Sequence, residues 1–164
     1  MNVELKDILT ALVLISTANS APVIARKLLG VRFARPVDGG LQLKDQQPLF
    51  GASKTWRGLV AAVICTAGIA PLMGLSALLG AGFGIVSIGS DLLASFTKRR
   101  FGYAPSSRAR ILDVFPEALL PMLAFQSALS LDKWEILITA LIFFVLEASV
   151  SPLLYRWHIR NRPY

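Results

Sequence analysis

GLVAAVICTAGIAPLMGLSALLGAGFGIVSIGS, residues 58–90, is a run of 33 residues without a formal charge, bracketed by Arg57 and Asp91. One bilayer span takes ~20 apolar residues. The run is therefore too long for one span and fits two joined by a tight turn. It lies in a chain of 164 residues that is 54% hydrophobic, with mean hydropathy +0.59, yet carries a net charge of +7. A soluble core does not need that much apolar sequence. The chain reads as an all-α polytopic membrane protein: a bundle of about five transmembrane helices with two basic cytoplasmic loops, in a single membrane-embedded domain over residues 1–164.

Working outward from the run, spans are predicted at about residues 5–28, 59–75, 77–96, 114–131 and 135–155. The first is interrupted by Asn19, Ser20 and Pro22 before Arg26 and Lys27. The loop after it is rich in turn formers, among them Pro36, Asp38-Gly39-Gly40 and Pro48. Gly80 and Gly84 give the small-xxx-small spacing of packed membrane helices, a contact that would also serve a homo-oligomer. Gly82 does not turn this into a dinucleotide loop, because the third glycine of that fingerprint would fall at Ile85. Glu4 and Asp7 against Lys6 give the wrong charge balance for a cleaved signal peptide. Cys65 is the one cysteine, so no intrachain disulfide forms and thiolate metal sites are excluded.

Five spans put loops 29–57 and 97–112 and the C-terminus on one side; with Arg26 and Lys27 at the inner end of the first span, that side carries 15 of the 17 Lys and Arg. The positive-inside rule then makes that side cytoplasmic and the N-terminus external, in a multi-pass protein of the plasma or inner membrane. Topology accounts for the basic charge, so nucleic acid is not an expected partner. Trp56, Trp134, Tyr155 and Trp157 fall at predicted interfaces, where amphipathic rings settle.

Ionisable groups inside spans are costly and face a partner or a cavity. Asp91, Glu117 and Glu147, with Asn19, all fall in the cytoplasmic half of the predicted bundle, beside both basic loops. Asp91 and Ser95 are four apart and share a helix face, which Lys98 continues. Asp113 and Glu117 are also four apart. Magnesium takes a few carboxylates and completes its shell with water and phosphate, while Lys and Arg bind the remaining phosphate charge. Plainer roles exist for each group. Lys98-Arg99-Arg100, like Lys54 with Arg57, fits a topology anchor; Asp113 fits a helix N-cap; Glu147 fits a polar contact between helices. His158 is the single histidine, so Ser-His-Asp and multi-histidine zinc sites are excluded.

Three segments resemble one family. They are Ala18-Asn19-Ser20-Ala21-Pro22; Phe50-Gly51-Ala52-Ser53-Lys54-Thr55-Trp56-Arg57-Gly58; and Ser90-Asp91-Leu92-Leu93-Ala94-Ser95-Phe96-Thr97-Lys98-Arg99-Arg100, followed by Leu112-Asp113. Together and in this order they resemble the CDP-archaeol synthase branch of the phosphatidate (CDP-diglyceride) cytidylyltransferases. The resemblance implies an enzyme: a CTP-dependent nucleotidyltransferase of phospholipid biosynthesis that converts a lipid phosphate to a CDP-activated lipid and pyrophosphate. It implies Asp91 and Asp113 as Mg2+ ligands. Lys54, Arg57, Lys98 and Arg99 would hold the triphosphate or the lipid phosphate, and Asn19 and Ser95 would line the nucleotide pocket. The family usually carries a second aspartate shortly after the one at Asp113. Here Val114, Phe115 and Pro116 intervene, and Glu117 is expected to take that role one turn on. The rival reading is a small transporter or lipid-binding membrane protein using the same basic, acid-lined cavity. A transporter needs access from both sides, and the outer half of the predicted bundle has almost no polar lining.

Overall fold

The computed structural model describes the backbone of residues 4–103 and 110–156, and the side chains of residues 4–103 and 115–150. Five α-helices account for most of it: α1 (Leu5–Leu29), α2 (Trp56–Ile69), α3 (Ala77–Arg100), α4 (Arg110–Ala124) and α5 (Lys133–Arg156). Among the described residues, α1, α3 and the segment Trp56–Met73 are long and apolar enough to cross a membrane; α4 contributes a shorter apolar stretch, Phe115–Ala124. Large apolar side chains point outward along these helices, including Val60, Ile64, Leu78, Ile85, Leu93, Leu123, Leu137 and Leu141. Such a surface is stable against lipid and not against water.

The uncharged run is broken at Pro71. A 3-10 turn, Ala70–Met73, follows α2, and Gly74 ends it in the left-handed conformation. Ser76 then caps α3 by accepting a hydrogen bond from the Leu79 amide at 3.1 Å. The hairpin closes tightly because of its glycines. A Cβ on Gly80 would lie 2.3 Å from the Thr66 carbonyl oxygen, and one on Gly84 would lie 2.3 Å from Thr66 Oγ1. The two backbones therefore touch where side chains would otherwise separate them. The glycine face that offered a contact between copies is occupied within the chain.

Helix α3 is central: it packs against α1, α2 and α4, while α5 lies against α1 and α4. The apolar core is Ala11, Leu14 and Ile15 of α1, Phe83 of α3, Ala118 and Met122 of α4, and Ile136, Ala140 and Phe143 of α5, with Ala70. Most of these sit in the half of the bundle away from the two long loops, whereas Asn19, Asp91, Ser95, Lys98 and Arg99 lie toward the loop-bearing ends of α1 and α3. Trp56 and Trp134 are more than half exposed, as interfacial rings should be.

Several helix ends differ from the sequence expectation. Helix α3 runs on to Arg100, so Lys98, Arg99 and Arg100 belong to its last turn rather than to the loop. Cations are favourable there because they face the negative end of the helix dipole. Helix α2 starts three residues early, at Trp56, which brings Arg57 into its first turn. Helix α4 already includes residues 110–113, so Asp113 lies within the helix and is not its N-cap. The same helix ends at Ala124, short of residue 131, in a turn where Ser130 has φ 55°.

Candidate active site

The loop between α1 and α2 brings Lys54 to α3. It is held as a two-rung hairpin. The Val37 amide donates to the Lys54 carbonyl at 2.8 Å and the Trp56 amide to the Arg35 carbonyl at 3.1 Å; nearer the tip, the Leu43 amide donates to Gln47 and the Leu49 amide to Leu41. Asp38 organises its inside. Its carboxylate accepts from the amides of Gly40 at 3.0 Å, Phe50 at 3.0 Å and Gly51 at 2.9 Å. Burial works against the ionised carboxyl, but the Gly51, Phe50 and Gly40 amides outweigh it and hold the group below its ordinary range. Gly51 has φ 98°, a conformation that costs a side-chain-bearing residue energy, and the turn from Gly51 to Lys54 depends on it.

From that turn Lys54 Nζ reaches both carboxylate oxygens of Asp91 at 2.5 Å. The two side chains remain 23% and 31% exposed, so the pair is partly screened and open to exchange with other ions. Ser95, Lys98 and Arg99 follow Asp91 along α3, all buried. Arg99 donates to the Tyr103 carbonyl, in a turn closed by Gly102 with φ 72°. Arg57 donates from Nη1 to the Gly30 carbonyl at 2.6 Å and the Arg32 carbonyl at 2.8 Å. These oxygens lie just beyond the C-terminus of α1, so Arg57 ties the end of that helix to the start of α2. Asn19, on α1, has a buried Nδ2 with no hydrogen-bond partner. A buried amide N–H without a partner costs ~1–3 kcal/mol and is a site where a ligand oxygen would be welcome.

The structure thus joins Lys54 to Asp91 directly. It sets Ser95, Lys98 and Arg99 on the same last turns of α3 as Asp91, and puts half-buried Glu117 on α4, which packs against α3. Among the described residues, no three acidic, histidine or cysteine side chains come together as a ready-made metal cage. The expected acid set includes Asp113, whose side chain lies outside the described residues, as do Trp157 and His158. Two contributors were not singled out in the sequence. Asp38 stood only as part of a turn signal with Gly39-Gly40. Arg100 stood only as the third base of a cluster, yet it bonds to the α1–α2 loop.

The chain has close likenesses. A CDP-archaeol synthase of Hyperthermus butylicus is 36% identical over 118 residues, 65% of this chain and 66% of that one. One from Sulfurisphaera tokodaii is 34% identical over 142 residues, 82% of this chain and 84% of that one. One from Thermococcus onnurineus is 34% identical over 107 residues. The aligned part spans a little under two thirds of the Hyperthermus and Thermococcus proteins, 66% and 59%. A solved structure, described as an intramembrane enzyme for archaeal membrane lipid biosynthesis, superposes with a TM-score of 0.75 at 26% identity, covering 87% of this chain and 90% of that one. No protein-family model matches the chain. The Sulfurisphaera alignment runs over most of both chains, and the intramembrane enzyme shares the architecture: the chain belongs to the CDP-archaeol synthase family.

Proposed function

We propose that the protein is a CTP-dependent cytidylyltransferase that converts a lipid phosphate of the archaetidic or phosphatidic acid type to a CDP-activated lipid. The observation that carries this reading is the Lys54–Asp91 pair beside the buried bases Lys98 and Arg99, at the polar end of an otherwise apolar bundle. A phosphate oxygen of the lipid attacks the α-phosphorus of CTP. The bond from that phosphorus to the bridging oxygen of the β-phosphate breaks, and pyrophosphate leaves. A lipid phosphate is already anionic at neutral pH, so the reaction needs no histidine base. It needs charge neutralisation and in-line placement.

The donor set suits Mg2+. The ion takes one or two protein carboxylates and fills its shell with water and substrate phosphate, so it does not require a closed cage. Asp91, Asp113 and Glu117 would hold it, and when bound it would draw off charge from the phosphate oxygens. The chain's own bases do the rest. Lys54 leaves Asp91 for the triphosphate, which is the stronger anion. Lys98 and Arg99 hold phosphate charge at the end of α3, while Arg57 braces the junction of α1 and α2. Asn19 and Ser95 would line the nucleotide pocket, and the orphaned Nδ2 of Asn19 supports that role as a donor.

The purified protein in lipid nanodiscs, given labelled CTP and a panel of phosphorylated lipids, should yield lipid-soluble label that depends on added magnesium. Label appearing equally in its absence would sink the metal role, and no label with any lipid would sink the reaction. Sidedness is part of the same proposal. The charge asymmetry supports a cytoplasmic position for the α1–α2 and α3–α4 loops. A reporter fused after Tyr164 should read as cytoplasmic; an external signal would overturn the topology.

A further inference from the structure

We propose that Arg100 is a positioning residue: it latches the α1–α2 loop onto α3 and so holds Lys54 over Asp91 before nucleotide arrives. Its guanidinium makes contacts in three directions. Nη1 donates to Asp45 Oδ2 at 2.5 Å, Nη2 donates to the Pro48 carbonyl at 3.0 Å, and the group lies over the Phe96 ring, 5.2 Å from its centroid. A topology anchor would send its charge out to lipid headgroups. Arg100 instead turns back to the tip of the hairpin. Asp45 is 43% exposed, so that ion pair alone contributes little. The carbonyl bond is partly buried, and together with the ring contact it uses the flat, forked shape of the guanidinium rather than its charge.

The loop therefore meets α3 at two points, Lys54 on Asp91 and residues 45–48 on Arg100. These anchor residues are nine apart, about 13.5 Å along the helix at 1.5 Å per residue. Ser95 and Lys98 lie between them. With one anchor the loop can swing about the hairpin base; with two it lies along the last turns of α3. Resting on the cytidylyltransferase reading, the latch sets the fraction of molecules in which Lys54 is already placed. Apparent affinity falls in proportion to that fraction, whereas saturating nucleotide pulls the loop back. The signature of a lost latch is thus a raised KM for CTP with kcat retained.

The test is hydrogen exchange of the substrate-free protein in nanodiscs, for wild type, Arg100→Ala and Arg100→Lys, followed by CTP kinetics of the same samples. Both variants should lose about tenfold or more of the amide protection in residues 41–51, while α3 residues 83–94 keep theirs. Arg100→Ala should raise the KM for CTP by about tenfold with kcat within about twofold. Arg100→Lys keeps the charge and loses the fork, so wild-type exchange in that variant would reduce the residue to a topology anchor and overturn the proposal. Unchanged exchange in Arg100→Ala would overturn it as well. A fall in kcat at unchanged KM would refute the placement of Lys54. The exchange arm uses no substrate, so it decides the latch even if the cytidylyltransferase reading fails.

Discussion

Asp91→Asn should slow formation of CDP-lipid by about 10²–10³-fold, the scale expected when one preorganised electrostatic group is removed from a site that works by charge. The substitution is nearly isosteric, so packing around it is kept. What disappears is the negative charge that Lys54 faces across 2.5 Å and that Mg2+ would require. Stability should not fall with activity. Asp91 is outside the apolar core, and its pair with Lys54 is partly exposed, so losing that pair costs little global stability. The expected pattern is therefore a dead enzyme with an unaltered unfolding transition. Asp91→Glu keeps the charge, moves it by one methylene, and should fall between the two. An Asp91→Asn protein that keeps half its activity would remove Asp91 from the reaction.

Gly80→Leu should have the largest effect on the fold. A Cβ at that position would sit 2.3 Å from the Thr66 carbonyl oxygen and 2.6 Å from Ala70 Cβ. One of these neighbours is main chain, and no rotamer change relieves the overlap. The hairpin of α2 and α3 would have to open, at a cost of about 3 kcal/mol or more, the upper end for overpacking. Denaturant unfolding in mixed micelles reads this directly. Gly68→Leu is the control, because a Cβ there meets nothing within 4 Å. Equal stability of the two variants would contradict the close approach of the helices. Activity should fall with stability in Gly80→Leu, since α3 carries Asp91, Ser95, Lys98 and Arg99.

Much of this is legible in the sequence alone. The uncharged run of residues 58–90 required a membrane hairpin, because no other arrangement buries 33 such residues cheaply. Gly80 and Gly84 announced a close helix contact, although spacing alone could not say that its partner is Thr66 on the preceding helix rather than a second copy. Asp91 stood out because an acid in an apolar helix demands a partner. Its pairing with Lys54, 37 positions away, depends on how the intervening loop folds. That fold rests on Asp38 and Arg100, whose bonds go mostly to backbone amides and carbonyls. Backbone groups carry no sequence identity, so such residues look like ordinary turn and anchor positions until the chain is folded. The early start of α2 and the late end of α3 were missed for a related reason. Trp56, Arg57 and the bases 98–100 are polar or interfacial, so the apolar pattern stopped before the helix did.

The most direct measurement of the central claim follows two labels of CTP in parallel, one on the α-phosphate and one on the γ-phosphate, with a lipid phosphate and magnesium. Cytidylyl transfer predicts that the α label passes into the lipid phase while the γ label is released as pyrophosphate in equal amount. A γ label found in lipid, or an α label that stays in water-soluble nucleotide, would contradict it.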